Sequence, residues 1–409
     1  MSELKGIEYL RTKLNKKRSW AKTRYNYYEQ KNLRWNPSPV MPPRLRSLYE
    51  TKLGWCTKAV DSLANRLVFA GFEHDNFDLW EIFQLNNKDI LFDSAIRSAL
   101  ISACSFIYIS SGENDYPRLQ VIDGKNATGN IDPITNLLTE GYAILETDDK
   151  GHVTQEAYFT PEYTEYYRAE KKEPEIFPNP TGYPLLVPII YRPIANKPFG
   201  QSRIGKDMMN IEDKARWATT DIAIALEFDT LPKTYVLGTA EDSDLDSYKA
   251  TVTSLLEITK DSDGDKPSVV QGQQGSMSPM EVAIMVYAKQ FAGITGLTTD
   301  DLGFISENPS SAESIKAAHG DLERLVNKTQ DIFGSGFLNV GMVAACLRDD
   351  YRYQRSAFYE TTPVWKPAFV MDNSAIATLG DGIIKINQAV PEAIGKRTIE
   401  RMTGISLEE

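Results

Sequence analysis

An α+β fold with an inserted, helix-flanked lobe is the class this sequence predicts, and three observations carry it. Short apolar runs from Phe106 to Arg168 are separated by turn residues, as in an antiparallel sheet. Apolar positions at helical spacing lie on both sides of those runs. After a proline-dense stretch, two helical patterns bracket an acidic segment too small to build a core alone.

Composition bounds the rest. With 409 residues, 42% hydrophobic and 25% charged, the chain is long enough for two or three compact units, and its formal net charge is −11. No stretch approaches ~18 uninterrupted apolar residues, and the N-terminus is polar from Ser2 without the apolar centre of a secretion signal, so an intracellular, membrane-free protein is expected. Cys56, Cys104 and Cys346 are far apart and lack metal-ligand spacing, which predicts buried free thiols. The acidic balance opposes tight wrapping of DNA, whose affinity comes from cations displacing counterions, but suits a surface past which DNA slides.

The first thirty-five residues run against that balance. Lys5, Arg11, Lys13, Lys16, Lys17, Arg18, Lys22, Arg24, Lys31 and Arg34 face Glu3, Glu8 and Glu29, with Tyr25, Tyr27, Tyr28 and Trp35 interleaved. Such a segment either contacts nucleic acid or forms a helix that docks through its aromatics on the body or on a neighbouring subunit. Leu48, Leu53, Val60, Leu63 and Leu67 predict a helix over Arg46–Val68. Ile82, Leu85, Ile90, Ile96 and Leu100 predict another over Trp80–Ser102. The second delivers the chain into a strand at Phe106–Ile109. Further strands are expected at Leu119–Ile122, Tyr142–Glu146, Val153–Tyr158 and Tyr163–Arg168.

Pro174, Pro178, Pro180, Pro184, Pro188, Pro193 and Pro198 leave room for one short strand at Leu185–Tyr191. A helix follows from about Arg203 to Phe228, with Ile204, Met208, Ile211, Ala215, Ala218, Ile222 and Ala225 on one side and a partly wet face at Asp213, Lys214 and Arg216. Strands are predicted at Lys233–Leu237 and Val269–Val270. Between them lie Glu241, Asp242, Asp244, Asp246, Glu257, Asp261, Asp263 and Asp265 against Lys249 and Lys260. A second helix runs from Met280 to Phe291, started by Ser278-Pro279 and broken at Gly293 and Gly296. A polar segment with Asp300 and Asp301 then meets Ser310 and Glu313 at capping-box spacing. The long helix that follows is expected to bend at Gly334 to Gly336. Strands at Tyr351–Tyr359 and Val364–Phe369 and helices over Ala375–Ile405, parted at Pro391, complete the chain.

Catalytic chemistry finds little support. His74, His152 and His319 are not grouped with one another or with cysteine, which disfavours a zinc site or a histidine-based triad. His319, on the long helix, can instead face a neighbouring subunit. Gly200 to Lys206 has the glycine and lysine spacing of a phosphate loop, yet Asp207 stands where a hydroxyl should meet magnesium. Asp300, Asp301 and the cluster Asp261–Asp265 lack the alternation and final glutamate of a calcium loop. No catalytic residue, cofactor site or metal site is therefore assigned.

The order and separation of several short pieces resemble the portal proteins of long-tailed bacteriophages. These pieces are Arg192-Pro193 with Lys197-Pro198-Phe199-Gly200, Leu231-Pro232-Lys233 with Leu237-Gly238, and Gly293-Ile294-Thr295-Gly296-Leu297 with Asn308-Pro309-Ser310-Ser311-Ala312-Glu313. The resemblance implies an α+β portal fold: N-terminal arm and wing over 1–202, first stem helix 203–230, a small α/β clip 231–277 and second stem helix 278–292. A tunnel loop at 293–309, a long kinked helix and the rest of the wing over 310–372, and a short crown-like region at 373–409 follow. It also implies a structural ring, dodecameric in the virion at the capsid vertex, assembled in the host cytoplasm and not an enzyme. Its partners would be the terminase large subunit, head-completion or adaptor proteins, major capsid and scaffolding proteins, and double-stranded DNA passing without sequence specificity. Thr298, Thr299, Asp300, Asp301, Ser306, Glu307 and Asn308 would then face DNA, and Glu241, Asp242, Asp244, Asp246, Asp261, Asp263 and Asp265 would form the docking surface of the clip. Two other functions stay open: a nucleotide-binding enzyme using Gly200 to Lys206, and a DNA- or partner-binding module using the basic N-terminus.

Overall fold

The computed structural model describes residues 4–33, 49–112, 116–229, 234–237, 268–271, 278–304, 319–369, 373–391 and 393–403. It divides into two units: Met1–Leu33, Gly54–Met209 and Ala292–Glu409 form the first, and Arg34–Leu53 with Asn210–Phe291 the second.

In the first unit, helix α1 (Ile7–Glu29) starts at Gly6, whose φ of 82° sets the turn into the helix. It lies on a five-stranded antiparallel meander of β4 (Ala127–Ile131), β5 (Leu138–Thr147), β6 (Val153–Phe159), β7 (Tyr163–Arg168) and β8 (Glu175–Pro178), in that order. Leu10 and Leu14 of α1 are buried with Tyr142, Ile144 and Tyr158 of the sheet. Each such leucine contributes roughly 2 kcal/mol by leaving water. The β5–β6 turn follows its sequence: Asp148 accepts from the amides of Lys150 (3.0 Å) and His152 (2.7 Å), and Gly151 takes φ 82°. Strands β4 and β8 were not expected. Gly129 breaks the apolar pattern of the first while staying in the strand, where a Cβ would lie 2.5 Å from the carbonyl of Glu140, and prolines bound the second.

A second sheet has the order β3 (Pro117–Ile122), β2 (Cys104–Ser111), β9 (Leu186–Ile190). The predicted helix over 80–102 is two helices, α3 (Leu79–Gln84) and α4 (Lys88–Ser102), because Asn87 turns left-handed at φ 50°. Likewise α2 spans Trp55–Ala64, beginning only after Gly54 turns at φ 71°. The chain then forms β1 (Phe69–Glu73), which pairs antiparallel with β12 (Thr362–Trp365).

Helix α7 (Gly320–Arg348) runs unbroken through Gly334 and Gly336. Both glycines are seats for close approach. A Cβ on Gly334 would come 2.8 Å from Pro363, and one on Gly336 would come 3.1 Å from Ile189. By length and hydropathy α7 could cross a membrane, but 67% of its apolar window is buried inside the protein, as in a core helix. Around it, Phe69, Phe92, Phe337 and Trp365 pack ring on ring, with centroids 4.7 Å apart for Phe69–Phe92 and for Phe92–Phe337. The expected strand at 351–359 is absent. That segment forms a short 3₁₀ turn at Arg355–Phe358, where Phe358 stacks 4.2 Å from Phe77 and exchanges ladder pairing for aromatic burial. Helices α8 (Asn373–Ala389) and α9 (Lys396–Thr403) end the described chain. All three cysteines are buried, and none of them is in a disulfide.

In the second unit, most of α5 (Lys206–Asp229) and α6 (Ser278–Thr295) accompany a hairpin of β10 (Thr234–Leu237) and β11 (Ser268–Gln271), in which Thr234 pairs with Gln271 and Leu237 with Ser268. Both strands were expected. Arg216 was expected on a wet face and is instead fully buried. Its guanidinium donates to the carbonyl of Thr51 (3.0 Å) and the carboxylate of Asp213 (3.1 Å), with Glu50 at 3.6 Å. The segment 49–51 supplies acceptors that helical spacing alone cannot reveal.

Candidate functional site

Helix α6 passes through Gly293 and ends at Gly296, whose φ of 72° and N–H bond to the carbonyl of Ala292 (2.9 Å) close the last turn. The sequence-predicted break at Gly293 does not occur: a single exposed glycine costs a helix only about 1 kcal/mol relative to alanine, too little to end it. Thr295 is buried, Leu297 is buried, and Phe304 meets Trp55 edge to face at 6.3 Å. The first part of the predicted tunnel loop is thus rooted in the first unit.

The two adjacent aspartates have different positions. Asp300 is exposed. Asp301 is tied into a reciprocal cap: its carboxylate accepts from the Thr298 amide (2.9 Å) and hydroxyl (3.0 Å), while Thr298 Oγ1 accepts from the Asp301 amide (3.1 Å). His319 Nδ1 lies 3.8 Å from the same carboxylate, beyond hydrogen-bond length, and its ring leans on Phe369 at 5.7 Å. With a side chain 15% exposed, His319 is mostly buried within its own chain. Thr298 and Thr299 are half-buried. Ser306, Glu307 and Asn308, the capping pair Ser310 and Glu313, and every predicted clip carboxylate (Glu241, Asp242, Asp244, Asp246, Asp261, Asp263 and Asp265) lie outside the described residues.

The segment shaped like a phosphate loop does other work. The amides of Gly200, Gln201 and Arg203 donate to the carbonyls of Lys197, Tyr191 and Leu100, and the Ile204 amide donates to Ser202 Oγ. A phosphate cradle needs such amides free and pointing at the ligand. Ser202 Oγ donates to the Ile101 carbonyl at 2.6 Å, so the turn closes the C-terminus of α4. Gly200 holds φ 76° with its Cα so close to Tyr191 that a Cβ would stand 2.1 Å from that carbonyl. Lys206 points its ammonium over the ring of Trp20, 4.8 Å from the centroid.

Arg203, which no motif singled out, is the pivot between this turn and the loop. It is 6% exposed, its guanidinium donates to the carbonyl of Thr295 at the end of α6, and Nε lies 3.5 Å from the carbonyl of Ala59. Burial pushes its guanidinium down from the ordinary value, and a cation at a helix C-terminus offsets that cost through the helix dipole. Its local sequence, Gln201-Ser202-Arg203-Ile204-Gly205-Lys206, is polar and carries no mark of burial.

The basic N-terminus is largely engaged with its own unit. Arg11 pairs with Glu156, and Lys13 Nζ donates to the Gly129 carbonyl (2.7 Å) and Asn130 Oδ1 (2.9 Å). Lys17 lies 2.9 Å from Cys104 Sγ, and Tyr28 donates to Asp61 at 2.9 Å. Of the two expectations for this segment, docking on the body describes its inner face.

Sequence and structure comparisons complete the description. Residues 7–388 match the profile of the family described as phage portal protein, SPP1 Gp6-like. The chain is similar to the portal protein of Mycobacterium phage L5, 25% identical over 321 residues, covering 73% of this chain and 65% of that protein. It is similar to the portal protein of Mycobacterium phage D29 as well, 24% identical over 335 residues, covering 76% and 68%. The chain therefore spans about two thirds of the length of these relatives. Among solved structures it aligns with a chain from the neck of an empty gene transfer agent particle computed with C6 symmetry, at a TM-score of 0.46 and 13% identity over 94% of this chain and 99% of that one. A chain from the neck of the native particle computed with C12 symmetry gives 0.45 and 14% over 90% and 95%.

Proposed function

Because the chain belongs to the SPP1 Gp6-like family of phage portal proteins, we propose that copies of it close into a ring at a vertex of the phage head and frame the passage for double-stranded DNA in packaging and ejection. The single observation that carries this is the family match, which spans residues 7–388 of 409. The ring is a structural part and the energy of translocation comes from outside this chain, from a terminase docked on the lobe between α5 and α6. Head-completion proteins take that place afterwards, and capsid and scaffolding proteins surround the ring during assembly.

The segment after α6 then serves as the tunnel loop. Arg203 and the Thr298–Asp301 cap hold its root, and Asp300 presents a negative charge once per subunit. A ring of like charge beside phosphates discourages static binding and favours sliding. The committed amides of Gly200, Gln201, Arg203 and Ile204 disfavour a nucleotide site at this turn.

Native mass spectrometry with particle imaging tests the ring. Closed rings with a central hole are expected; a strict monomer across a broad range of concentration and salt would sink the proposal. Replacing Asp300 with lysine is expected to leave rings intact and lower DNA packaging, and unchanged packaging would remove the electrostatic role of the loop.

A further inference from the structure

Between Thr12 and Tyr28 helix α1 carries six cations, Lys13, Lys16, Lys17, Arg18, Lys22 and Arg24, and no acid, in a chain whose net charge is −11. The two glutamates of α1 lie outside this stretch and are already paired, Glu8 with Arg11 and Glu29 with Lys31. Lys16, Trp20 and Arg24 stand four residues apart and share one stripe of the helix, with Lys13 and Lys17 beside them. Trp20 is 55% exposed, and Lys206, from the first turn of α5, is seated over its ring at 4.8 Å. Among the described residues Lys16, Arg24 and Lys206 have no carboxylate within ion-pair distance, although Asp207 follows Lys206 in the chain. The neighbouring cations repel one another: after burial, Lys5 and Lys17 are what hold the Lys13 ammonium below its ordinary value.

We propose that this flank of α1, together with Lys206, is a sequence-independent contact for the phosphate backbone of duplex DNA, sharing no residue with the loop after α6. The unpaired cations supply charge complementarity. From Lys16 to Arg24 the helix rises about 12 Å, over which duplex DNA presents roughly seven charges. The exposed residues of α1 beside Trp20 are Lys16, Ser19 and Thr23, all polar. A protein partner would need a desolvated apolar centre with few charges, which this surface does not offer. Lys13 and Lys17, anchored on Gly129, Asn130 and Cys104, add field without having to move.

The test uses the full chain, with its assembly state fixed by particle imaging, and a labelled 20-base-pair duplex followed by fluorescence anisotropy between 50 and 200 mM salt. Lys16, Arg24 and Lys206 predict a log–log salt slope of about −3. Lys16→Ala and Lys206→Ala should each reduce the slope by about 1 and weaken binding severalfold at 50 mM salt. Lys22→Ala, on the opposite flank, should leave both unchanged. Equal melting temperatures across the variants separate loss of contact from loss of fold. Absent binding at 50 mM salt, or an equal loss from Lys22→Ala, overturns the proposal. So does a polyglutamate peptide that binds as tightly as the duplex, since the occupant would then be an acidic protein. Ring formation is read separately, so failure here leaves the portal assignment standing.

Discussion

Glu140, in β5, accepts the backbone N–H of Gly6 at 3.1 Å, and its other oxygen accepts that of Lys5 at 3.0 Å, so a buried carboxylate sits at the N-terminus of α1. The side chain is 1% exposed and also accepts from the Tyr158 hydroxyl at 2.7 Å and the Asn130 amide at 2.5 Å. Four donors and the positive end of a helix dipole keep the buried charge in place. Glu140→Gln is expected to cost about 2 kcal/mol, because one amide-side donor is left facing another donor. Thermal unfolding of the variant checks this, and an unchanged melting temperature would mean that water or a local shift satisfies Lys5 and Gly6.

Asp300 and Asp301 should behave differently on substitution although adjacent. Asp301→Ala opens the reciprocal bonds with Thr298 and should cost about 1 kcal/mol, as loss of a cap does. Asp300→Ala should change stability by less than about 0.5 kcal/mol, as exposed positions usually do. Denaturant midpoints for the two variants decide it. Equal losses would refute the division of roles.

Arg203→Met keeps the volume of the side chain but withdraws donors from the Thr295 and Ala59 carbonyls. A loss of about 2 to 3 kcal/mol is expected from removing the buried guanidinium's charge-assisted hydrogen bonds. Hydrogen exchange adds a local readout: amides of residues 296–304 should exchange faster than in the wild type, while β6 and β7 remain protected.

Acid stability has a named contributor in Asp349. Hydrogen bonding from Arg348 holds its carboxyl below the ordinary value, with Tyr353 adding a further bond at 3.1 Å. A depressed carboxyl contributes fully above its unfolded value, near 4, and that contribution drains away as pH falls through the lower folded value. Solvent screening limits it to roughly 0.5 kcal/mol. Asp349→Asn should therefore be slightly less stable than the wild type at pH 7 and equal to it at about pH 2. A difference that persists unchanged at low pH would point to packing instead.

Residues 142–168 show how much was legible. Their alternating apolar residues and the Asp148–Gly151 turn are local signals, and β5, β6 and β7 appear where those signals lie. The same holds for β10, β11 and the helices beside them. The strand expected at 351–359 failed for a different reason: Tyr353 and Phe358 are apolar enough for a strand, but their partner is Phe77, remote in sequence. Glu140 was not noticed because a buried carboxylate in a strand has no sequence mark until its donors arrive from α1.

By itself the sequence determined periodicity, turns, charge balance and the run of short pieces that marks a portal protein, since each depends on near neighbours along the chain. Tertiary structure decided which polar groups are spent. It placed Arg216 inside, turned Asp301 into a cap and Asp300 outward, consumed the amides of Gly200, Gln201, Arg203 and Ile204, and gave Lys16, Arg24 and Lys206 no carboxylate within ion-pair distance among the described residues. The physical reason is that satisfying a buried donor or charge needs partners at specific distances, and those partners come from segments as far apart as Arg203 and Thr295.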